Sequence, residues 1–162
     1  MKTRERPSPV KTPAHPAREP DDARYPPTSR SLPIALIRAR ERVMGPFREM
    51  LAKAGVTEQQ WRILRVLDEH GPMPITAIGE LACLQAPSLS RTIQILVEKE
   101  MVRRVRDTSD RRRQTISLAE AGAAVIYSNI GESRRIARAF EERLGPEKHR
   151  RLLDLLDELS QL

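Results

Sequence analysis

The sequence contains a single cysteine, and it lacks the other features that secreted or membrane proteins commonly have. One cysteine excludes an internal disulfide framework, so we expect a cytoplasmic protein. No stretch approaches the run of about 18 apolar residues that a membrane-spanning helix needs, which predicts no membrane partner. The first residues include no apolar segment of the kind that secretory signals have, and we expect no such signal.

The residue patterns typical of metal sites, phosphate-binding loops and catalytic sites are also missing from the sequence. His15, His70 and His149 lie far apart in the sequence and lack cysteine or acidic neighbours at ligand spacing, so we expect no metal site. The seven glycines form no phosphate-binding loop, and we expect no cofactor. The sequence offers no arrangement of a nucleophile with a base. We therefore expect a protein that is not an enzyme.

The composition is that of a folded, basic protein. Apolar residues make up 39% of the 162 residues, which is too many for a wholly disordered chain and enough for the core of one domain. Lys and Arg number 29 against 22 Asp and Glu, which gives a net charge of +7. A charge of this sign favours a polyanionic partner.

Residues 1–30 differ in composition from the rest of the chain. They hold seven of the 13 prolines and carry a net charge of +3. Such a segment buries too little apolar surface to offset its ordering entropy, so we predict a disordered, proline-rich tail. The tail is either a solvated arm without a function or a basic arm that helps to grip DNA or a second subunit.

From Ser31 onward the hydrophobic periodicity predicts six helices and one β-hairpin. Helices are expected over residues 31–54, 57–70, 75–82, 87–100, 119–144 and 146–161, and strands over residues 102–106 and 114–118. Thr57 and Gln60 fit a capping box at the start of the second helix, and alternation in the second strand would turn Ile116 and Leu118 inward. A mostly α-helical chain in which a short helix, a turn, a second helix and a small hairpin follow one another has the outline of a winged helix-turn-helix. The outer helices carry apolar stripes that so small a central unit cannot cover, which predicts a homodimer.

The helix predicted over residues 87–100 has two different faces. With Leu89 on the buried side, the side chains of Ser90, Arg91 and Gln94 project away from the core, and Ser88 lies near the front of the helix. Short hydroxyl, amide and arginine side chains are the types that hydrogen-bond base edges and phosphates. The alternative is an ordinary amphipathic helix with a solvated polar face.

The predicted hairpin is rich in arginine. Residues 103–113 contain six arginines and two aspartates, and no aromatic side chain offers a stacking platform for single strands. Such a hairpin suits double-stranded DNA, because arginines at its tip can enter a narrow minor groove. Asp110 can hold the guanidinium of Arg112 in a fork, with Arg111 and Arg113 beside it. The alternative is a solvated run of charge.

Arg40 falls inside the apolar stripe of the first predicted helix. At 100° per residue it lies about 40° from Leu36, on the side of Val43 and Phe47. An arginine in such a stripe needs an anionic partner, because an unpaired buried charge is costly. The partner is either a carboxylate from a facing helix or the carboxylate of a ligand.

Two adjoining segments resemble the MarR family of bacterial transcription regulators. They are "LACLQAPSLSRTIQILVEKEMV" (81–102) and "VRRVRDTSDRRRQTISLAEAG" (102–122). The resemblance covers about residues 31–162 and implies a winged-helix homodimer that binds a pseudo-palindromic operator in double-stranded DNA. Residues 57–118 would then read DNA, and residues 31–54 and 119–162 would form the dimer. Asp110 and Arg112 match the family's minor-groove pair, while Ala119 replaces the usual threonine and removes a helix cap.

Two further segments resemble the branch of the family that includes the homoprotocatechuate-degradation regulator. They are "SLPIALIRARERVM" (31–44) and "TEQQWRILRVL" (57–67). The resemblance implies a repressor of aromatic-acid catabolic genes that a phenolic or other aromatic carboxylate releases from DNA. Arg40 would hold the carboxylate, Trp61 would form an aromatic wall, and Ser31 would lie at the rim. For Trp61 the alternative is plain core packing.

Two other functions stay open from the sequence. Some relatives sense oxidants through cysteine, and Cys83 would serve that role here, although its apolar surroundings favour a small buried side chain. The other alternative is a helical adaptor that binds protein partners and uses the hairpin only for its charge.

Overall fold

The computed structural model describes residues 27–106 and 114–162. Most of the predicted tail, residues 1–30, lies outside the described residues, as does the segment 107–113 between the two predicted strands. At the start of the described part, Thr28–Arg30 form a single 3-10 turn. The chain divides into two units, residues 1–39 and 40–162, and the packing described below belongs to the second unit.

The described residues form six helices and three short strands. The helices are α1 (Leu32–Lys53), α2 (Glu58–His70), α3 (Ile75–Leu81), α4 (Ala86–Glu98), α5 (Glu120–Leu144) and α6 (Pro146–Ser160), and the strands are β1 (Met73–Pro74), β2 (Val102–Arg106) and β3 (Gln114–Leu118). This architecture confirms the predicted mostly α-helical fold with a small hairpin. Among the helices of the described ranges, none combines the length and the apolar character needed to cross a membrane.

The three strands form one antiparallel sheet in the order β1-β3-β2. In the hairpin, Val102 pairs with Leu118 and Arg104 pairs with Ile116, so β2 and β3 are in register over their full length. Strand β1 was not predicted from the sequence. It adds only Met73 and Pro74 to the far edge of β3, and an edge position tolerates proline because its missing N–H is not needed there.

The main hydrophobic core joins α2, α3, α4, α5 and the hairpin. Its fully buried side chains are Ile63, Leu64, Ile78, Ile93, Leu96, Val102, Ile116 and Ile126. Ile116 faces inward as the alternation of β3 predicts. A smaller cluster of Met50, Leu51, Val56 and Ile136 packs the end of α1 against α5. Burial of these side chains supplies most of the driving force for folding.

The helix ends show how local sequence shapes the fold. Thr57 forms the predicted capping box with Gln60, in which side chain and backbone bond each other in both directions. Ala119 begins α5 without a side-chain cap, as expected from the missing threonine. Helices α1, α3 and α4 are each followed, two positions after the last helical residue, by a residue with a positive φ, namely Gly55, Cys83 and Glu100.

Candidate nucleic-acid interface and an arginine-lined cavity

Gly79 lies where helix α3 packs against Leu89 of helix α4. A Cβ atom on Gly79 of α3 would stand 2.9 Å from Cδ2 of Leu89 and 3.3 Å from the carbonyl oxygen of Leu84. The absence of a side chain at Gly79 therefore lets the two helices approach. A short turn, residues 82–85, joins them, so the pair is a helix-turn-helix with α4 in the position of the DNA-reading helix.

The faces of α4 agree with the sequence prediction. Leu89, Ile93 and Leu96 are buried in the core. The predicted DNA-contacting residues Ser88, Ser90, Arg91 and Gln94 are all exposed. Buried Thr92 bonds the helix itself, since its hydroxyl donates to the carbonyl oxygen of Ser88 at 2.7 Å. The helix thus presents hydroxyl, amide and guanidinium groups on its outer surface.

A hydrogen bond connects α4 with the hairpin. Nη2 of Arg104 on β2 donates to Oε1 of Gln94 at 3.1 Å, and Nε2 of Gln94 donates to Oε1 of Glu98 at 3.0 Å. Arg104 and Gln94, the donors of these two hydrogen bonds, are both exposed. Arg104 therefore lies beside the outer face of α4. The sequence did not predict the role of Arg104, because the pairing depends on how the hairpin folds back onto the helix.

The predicted hairpin-tip residues lie outside the described residues. These are Asp110, Arg111, Arg112 and Arg113, and their roles stay predictions. The strands that flank them are described, and Arg103 and Arg104 on β2 are exposed. The described part of the hairpin therefore adds positive charge to the same region as α4.

A separate cavity of about 250 Å³ lies against α1 and α2. It is lined by Arg40, Met44, Phe47, Leu51, Glu58, Trp61 and Arg62. The structure thus brings Arg40 and Trp61, both predicted ligand contacts, to one cavity. Ser31 belongs to the first unit of the chain, and its predicted role at the rim stays a prediction.

Arg40 is less buried than its position in the apolar stripe indicated. Its side chain is 52% exposed and donates to Glu41 and to Glu58. The charge of Arg40 is paired as expected, but it is not buried in the single chain, because the stripe around it is itself exposed: Leu36 is 37% and Val43 40% accessible. Glu58 lies on the facing helix α2 and is a protein carboxylate of the kind expected as a partner for Arg40.

The carboxylates beside the cavity are shared between two arginines. Arg48 donates to Glu41 at 2.7 Å and to Glu58 at 3.3 Å, so both arginines contact both acids. Hydrogen bonding from Arg48 lowers the pKa of the Glu41 carboxyl, and the same bond raises the pKa of Arg48. The pairs of Glu41 with Arg40 and Arg48 are exposed, and exposed ion pairs contribute little to stability, whereas the Glu58 side chain is only 21% exposed.

Trp61 is half-buried and has two roles. Its ring packs against both hydrophobic clusters, and it also lines the cavity. The Trp61 side chain can therefore both pack against the core and form a wall of the cavity.

The turn between α3 and α4 contains two features that the sequence did not reveal. Cys83 is exposed, with a φ of 51°, so the expectation of a buried cysteine is wrong. The left-handed backbone that ends α3 places Cys83 outside the core. Nη1 of Arg62 donates to the carbonyl oxygens of Ala82 at 2.7 Å and of Cys83 at 3.3 Å. This contact spans 20 residues, which no local pattern predicts.

Comparison with known proteins agrees with this arrangement. A model of the MarR family matches residues 56–113. The chain is 39% identical to the HTH-type transcriptional regulator FarR of Neisseria gonorrhoeae over 133 residues, which cover 82% of this chain and 90% of the relative. It is 34% identical to the homoprotocatechuate degradative operon repressor of Escherichia coli over 132 residues, which cover 82% and 89%.

A solved structure shares the fold. The crystal structure of NadR in complex with 4-hydroxyphenylacetate aligns with a TM-score of 0.73 at 36% identity, and the alignment covers 85% of this chain and 99% of NadR. The helix-turn-helix with its adjoining hairpin defines a winged-helix protein of the DNA-binding class. The chain belongs to the MarR family of transcriptional regulators, whose members bind DNA and are not enzymes.

Proposed function

We propose that the protein is a homodimeric, ligand-responsive repressor that binds a specific pseudo-palindromic operator. Its proposed targets are genes of aromatic-acid catabolism, and a phenolic or other aromatic carboxylate releases it. The observation that carries this proposal is the exposed polar face of α4, tied through Gln94 and Arg104 to a hairpin rich in arginine. Because its proposed partner is DNA, we place the protein in the cytoplasm.

In this proposal α4 lies in the major groove and the hairpin follows the minor groove. Arg91 and Gln94 are the side chains best suited to base edges, since arginine bonds guanine and an amide bonds adenine. Arg104 holds the Gln94 amide and so fixes its orientation. Ser88 and Ser90 contact the sugar-phosphate backbone of the DNA. Asp110 orients Arg112 toward the minor groove, and Arg111 and Arg113 lie on either side of Arg112.

The exposed apolar surface of the outer helices supports the dimer. Leu152, Leu153, Leu155 and Leu156 of α6 are between 39% and 53% exposed, although leucines seldom cluster on a free surface. A second copy of this chain is the proposed occupant, since a two-fold dimer presents two reading helices about one helical turn of DNA apart. Residues 31–54 and 119–162 would form this interface, and residues 57–118 the reading unit.

The function is tested by selecting binding sites from a random pool of duplexes. We expect the wild-type protein to enrich a palindromic site with two half-sites, and this site then serves as the operator in every assay below. A pool that stays unenriched, with binding that falls steeply with salt, would favour the helical adaptor instead.

Replacement of Arg91 by alanine is expected to lower operator affinity about tenfold and to lower affinity for a scrambled duplex much less. Loss of a bidentate contact to a base affects only the cognate sequence. Fluorescence anisotropy at one fixed salt concentration measures both affinities. Arg135→Ala is the control, because Arg135 is an exposed arginine outside the proposed reading unit; α5 belongs to the proposed dimer interface, so light scattering checks that this variant stays dimeric. Equal losses on both duplexes would contradict base reading by Arg91.

For the effector we propose an aromatic acid in the arginine-lined cavity. Arg40 binds the carboxylate, and Trp61 and Phe47 enclose the ring. The cavity of about 250 Å³ is small, which suits a ligand with a single ring. Two relatives support this class, since one is named as a homoprotocatechuate operon repressor and another was solved with 4-hydroxyphenylacetate. Ser31 is retained as a proposed rim contact.

Replacement of Arg40 by alanine is expected to weaken binding of 4-hydroxyphenylacetate about tenfold, because a charge-assisted hydrogen bond to the carboxylate is lost. Operator affinity without ligand should change little. Calorimetry measures the first quantity and anisotropy the second. Arg42→Ala is the control, since Arg42 is an exposed arginine of the same helix that does not line the cavity. Unchanged ligand affinity in Arg40→Ala would refute the assignment.

The exposed position of Cys83 gives the thiol-responsive alternative a specific observation in its favour. That alternative predicts operator binding that is lost on treatment with peroxide and preserved in Cys83→Ser. If peroxide has no effect on the wild-type protein, the aromatic-acid proposal stands alone.

A further inference from the structure

Arg62 takes part in two sites at once. Its side chain lines the cavity together with Arg40 and Trp61. Its Nη1 atom also donates to the carbonyl oxygens of Ala82 and Cys83, in the turn that leads from α3 into α4. One half-buried side chain therefore joins the proposed ligand site to the proposed DNA-reading unit, and both belong to the same unit of the chain.

The turn between α3 and α4 depends on hydrogen bonds from outside it, such as those that Arg62 donates. The last carbonyl groups of a helix lack hydrogen-bond partners within the helix, and a cation near them is favourable. Cys83 adds strain, since its φ of 51° is a left-handed conformation that residues other than glycine adopt at a cost. Loss of the contacts from Arg62 would thus leave a strained turn with fewer bonds to hold it.

The hydrogen bonding of Arg62 is also incomplete. Its Nε atom is buried, and among residues 27–106 and 114–162 it meets no hydrogen-bond acceptor. Arg40 differs, because Glu41 and Glu58 already neutralise it. Among the described residues Arg62 bonds only neutral carbonyl groups, so its charge lacks the anionic partner that a carboxylate in the cavity would provide. A carboxylate that Arg40 binds in the cavity can therefore attract Arg62 as well.

We propose that Arg62 is the coupling residue of this regulator. A carboxylate bound in the cavity draws the guanidinium away from Ala82 and Cys83, and the turn then relaxes and shifts α4 out of its DNA-binding position. The ligand thereby favours a conformation with low operator affinity, as any allosteric ligand must. This inference rests on the effector function proposed above and names the side chain that carries the signal.

Cys83 provides a direct reporter of the turn. It is the single cysteine of the chain, it is exposed, and its carbonyl oxygen accepts a bond from Arg62. The rate of its alkylation by iodoacetamide therefore follows the conformation of the turn. We expect 4-hydroxyphenylacetate to raise this rate in the wild-type protein, and its neutral amide analogue to leave the rate unchanged. In Arg62→Gln the rate should be high from the start and insensitive to ligand.

Operator release gives the second readout. We expect 4-hydroxyphenylacetate to lower the operator affinity of the wild-type protein about tenfold, and to lower that of Arg62→Gln less than about twofold. Arg62→Lys keeps the charge but not the planar fork, so it should bind the ligand and release DNA poorly. Arg135→Gln, a control arginine outside the cavity and the reading unit, should respond like the wild type provided that light scattering shows it to be dimeric, since α5 belongs to the proposed interface.

The two proposals fail in different ways. If calorimetry shows binding of 4-hydroxyphenylacetate and Arg62→Gln still releases DNA like the wild type, the coupling role is refuted and the effector site stands. If Arg62→Gln shows the alkylation rate of the wild type, Arg62 does not hold the turn and the coupling role is again refuted. If the wild-type protein binds no 4-hydroxyphenylacetate, the effector proposal fails, and the coupling proposal fails with it.

Discussion

Replacement of Gly122 by alanine is expected to lower the free energy of unfolding by about 3 kcal/mol. A Cβ atom at this position would overlap the carbonyl oxygen of Met101 and would stand 2.9 Å from Cδ1 of Leu118 and 3.0 Å from Cδ2 of Leu64. The carbonyl group cannot move away easily, because it accepts the backbone N–H of Ala119 at 3.0 Å. The start of α5 must then separate from the hairpin and from α2.

Gly131→Ala is the matched control, since Gly131 lies in the same helix. Around it, no atom of the described residues lies within 4 Å of the position that a Cβ would occupy. Alanine at an exposed helix position stabilises by about 0.5–1 kcal/mol relative to glycine. Urea unfolding of the two variants measures both changes. A loss below about 1 kcal/mol in Gly122→Ala would contradict the close packing of α5 on the hairpin.

Replacement of Arg112 by alanine is expected to lower operator affinity roughly 100-fold, since a dimer loses two arginine contacts, each worth about 1–3 kcal/mol. Arg112 belongs to the segment that connects β2 and β3 in the sequence, and Arg103 and Arg104 on the adjoining strand already give this region positive charge. Anisotropy with the selected operator measures the affinity.

The expected loss of operator affinity in Arg112→Ala must not come from unfolding or from loss of the dimer. Light scattering should give Arg112→Ala the same dimeric mass as the wild type, and its urea unfolding midpoint should not change. Arg135→Ala removes the same charge from α5, outside the proposed reading unit, and should bind the operator normally if light scattering shows the same dimeric mass. Operator affinity equal to that of the wild type would refute the role of the hairpin tip.

Local sequence was sufficient to predict the helices and the faces of α4. The capping box at Thr57 and Gln60 and the apolar spacing of Leu89, Ile93 and Leu96 are both short-range signals, and both are confirmed. The same signals cannot reveal β1, because two residues carry no periodicity. They also cannot reveal the left-handed conformation of Cys83, since glycine is the residue that normally marks such a position.

The candidate site was predictable only in part. Its residue types were evident, and Arg40 and Trp61 do line one cavity. The partners were not, because the contacts of Arg40 with Glu58 and of Arg62 with Ala82 join residues about 20 positions apart through the tertiary fold. The buried position expected for Arg40 failed because helical periodicity identifies an apolar stripe but not what covers it.

The exposed stripe has a consequence for assembly. Leu36 and Val43 of α1 and the leucines of α6 are apolar and accessible in a single chain. Burial of such surface is the usual driving force of homodimer formation. The exposed apolar stripe, which leaves Arg40 unburied in a single chain, thus supports the proposed dimer.

The central claim is that two copies of this chain bind one specific duplex through α4 and the hairpin. Anisotropy titration of the selected operator and of a scrambled duplex, at one physiological salt concentration, tests it most directly. The account predicts saturation at two chains per operator and an affinity at least about 1,000-fold higher than for the scrambled duplex. Equal affinity for the two duplexes, or saturation at one chain, would contradict it.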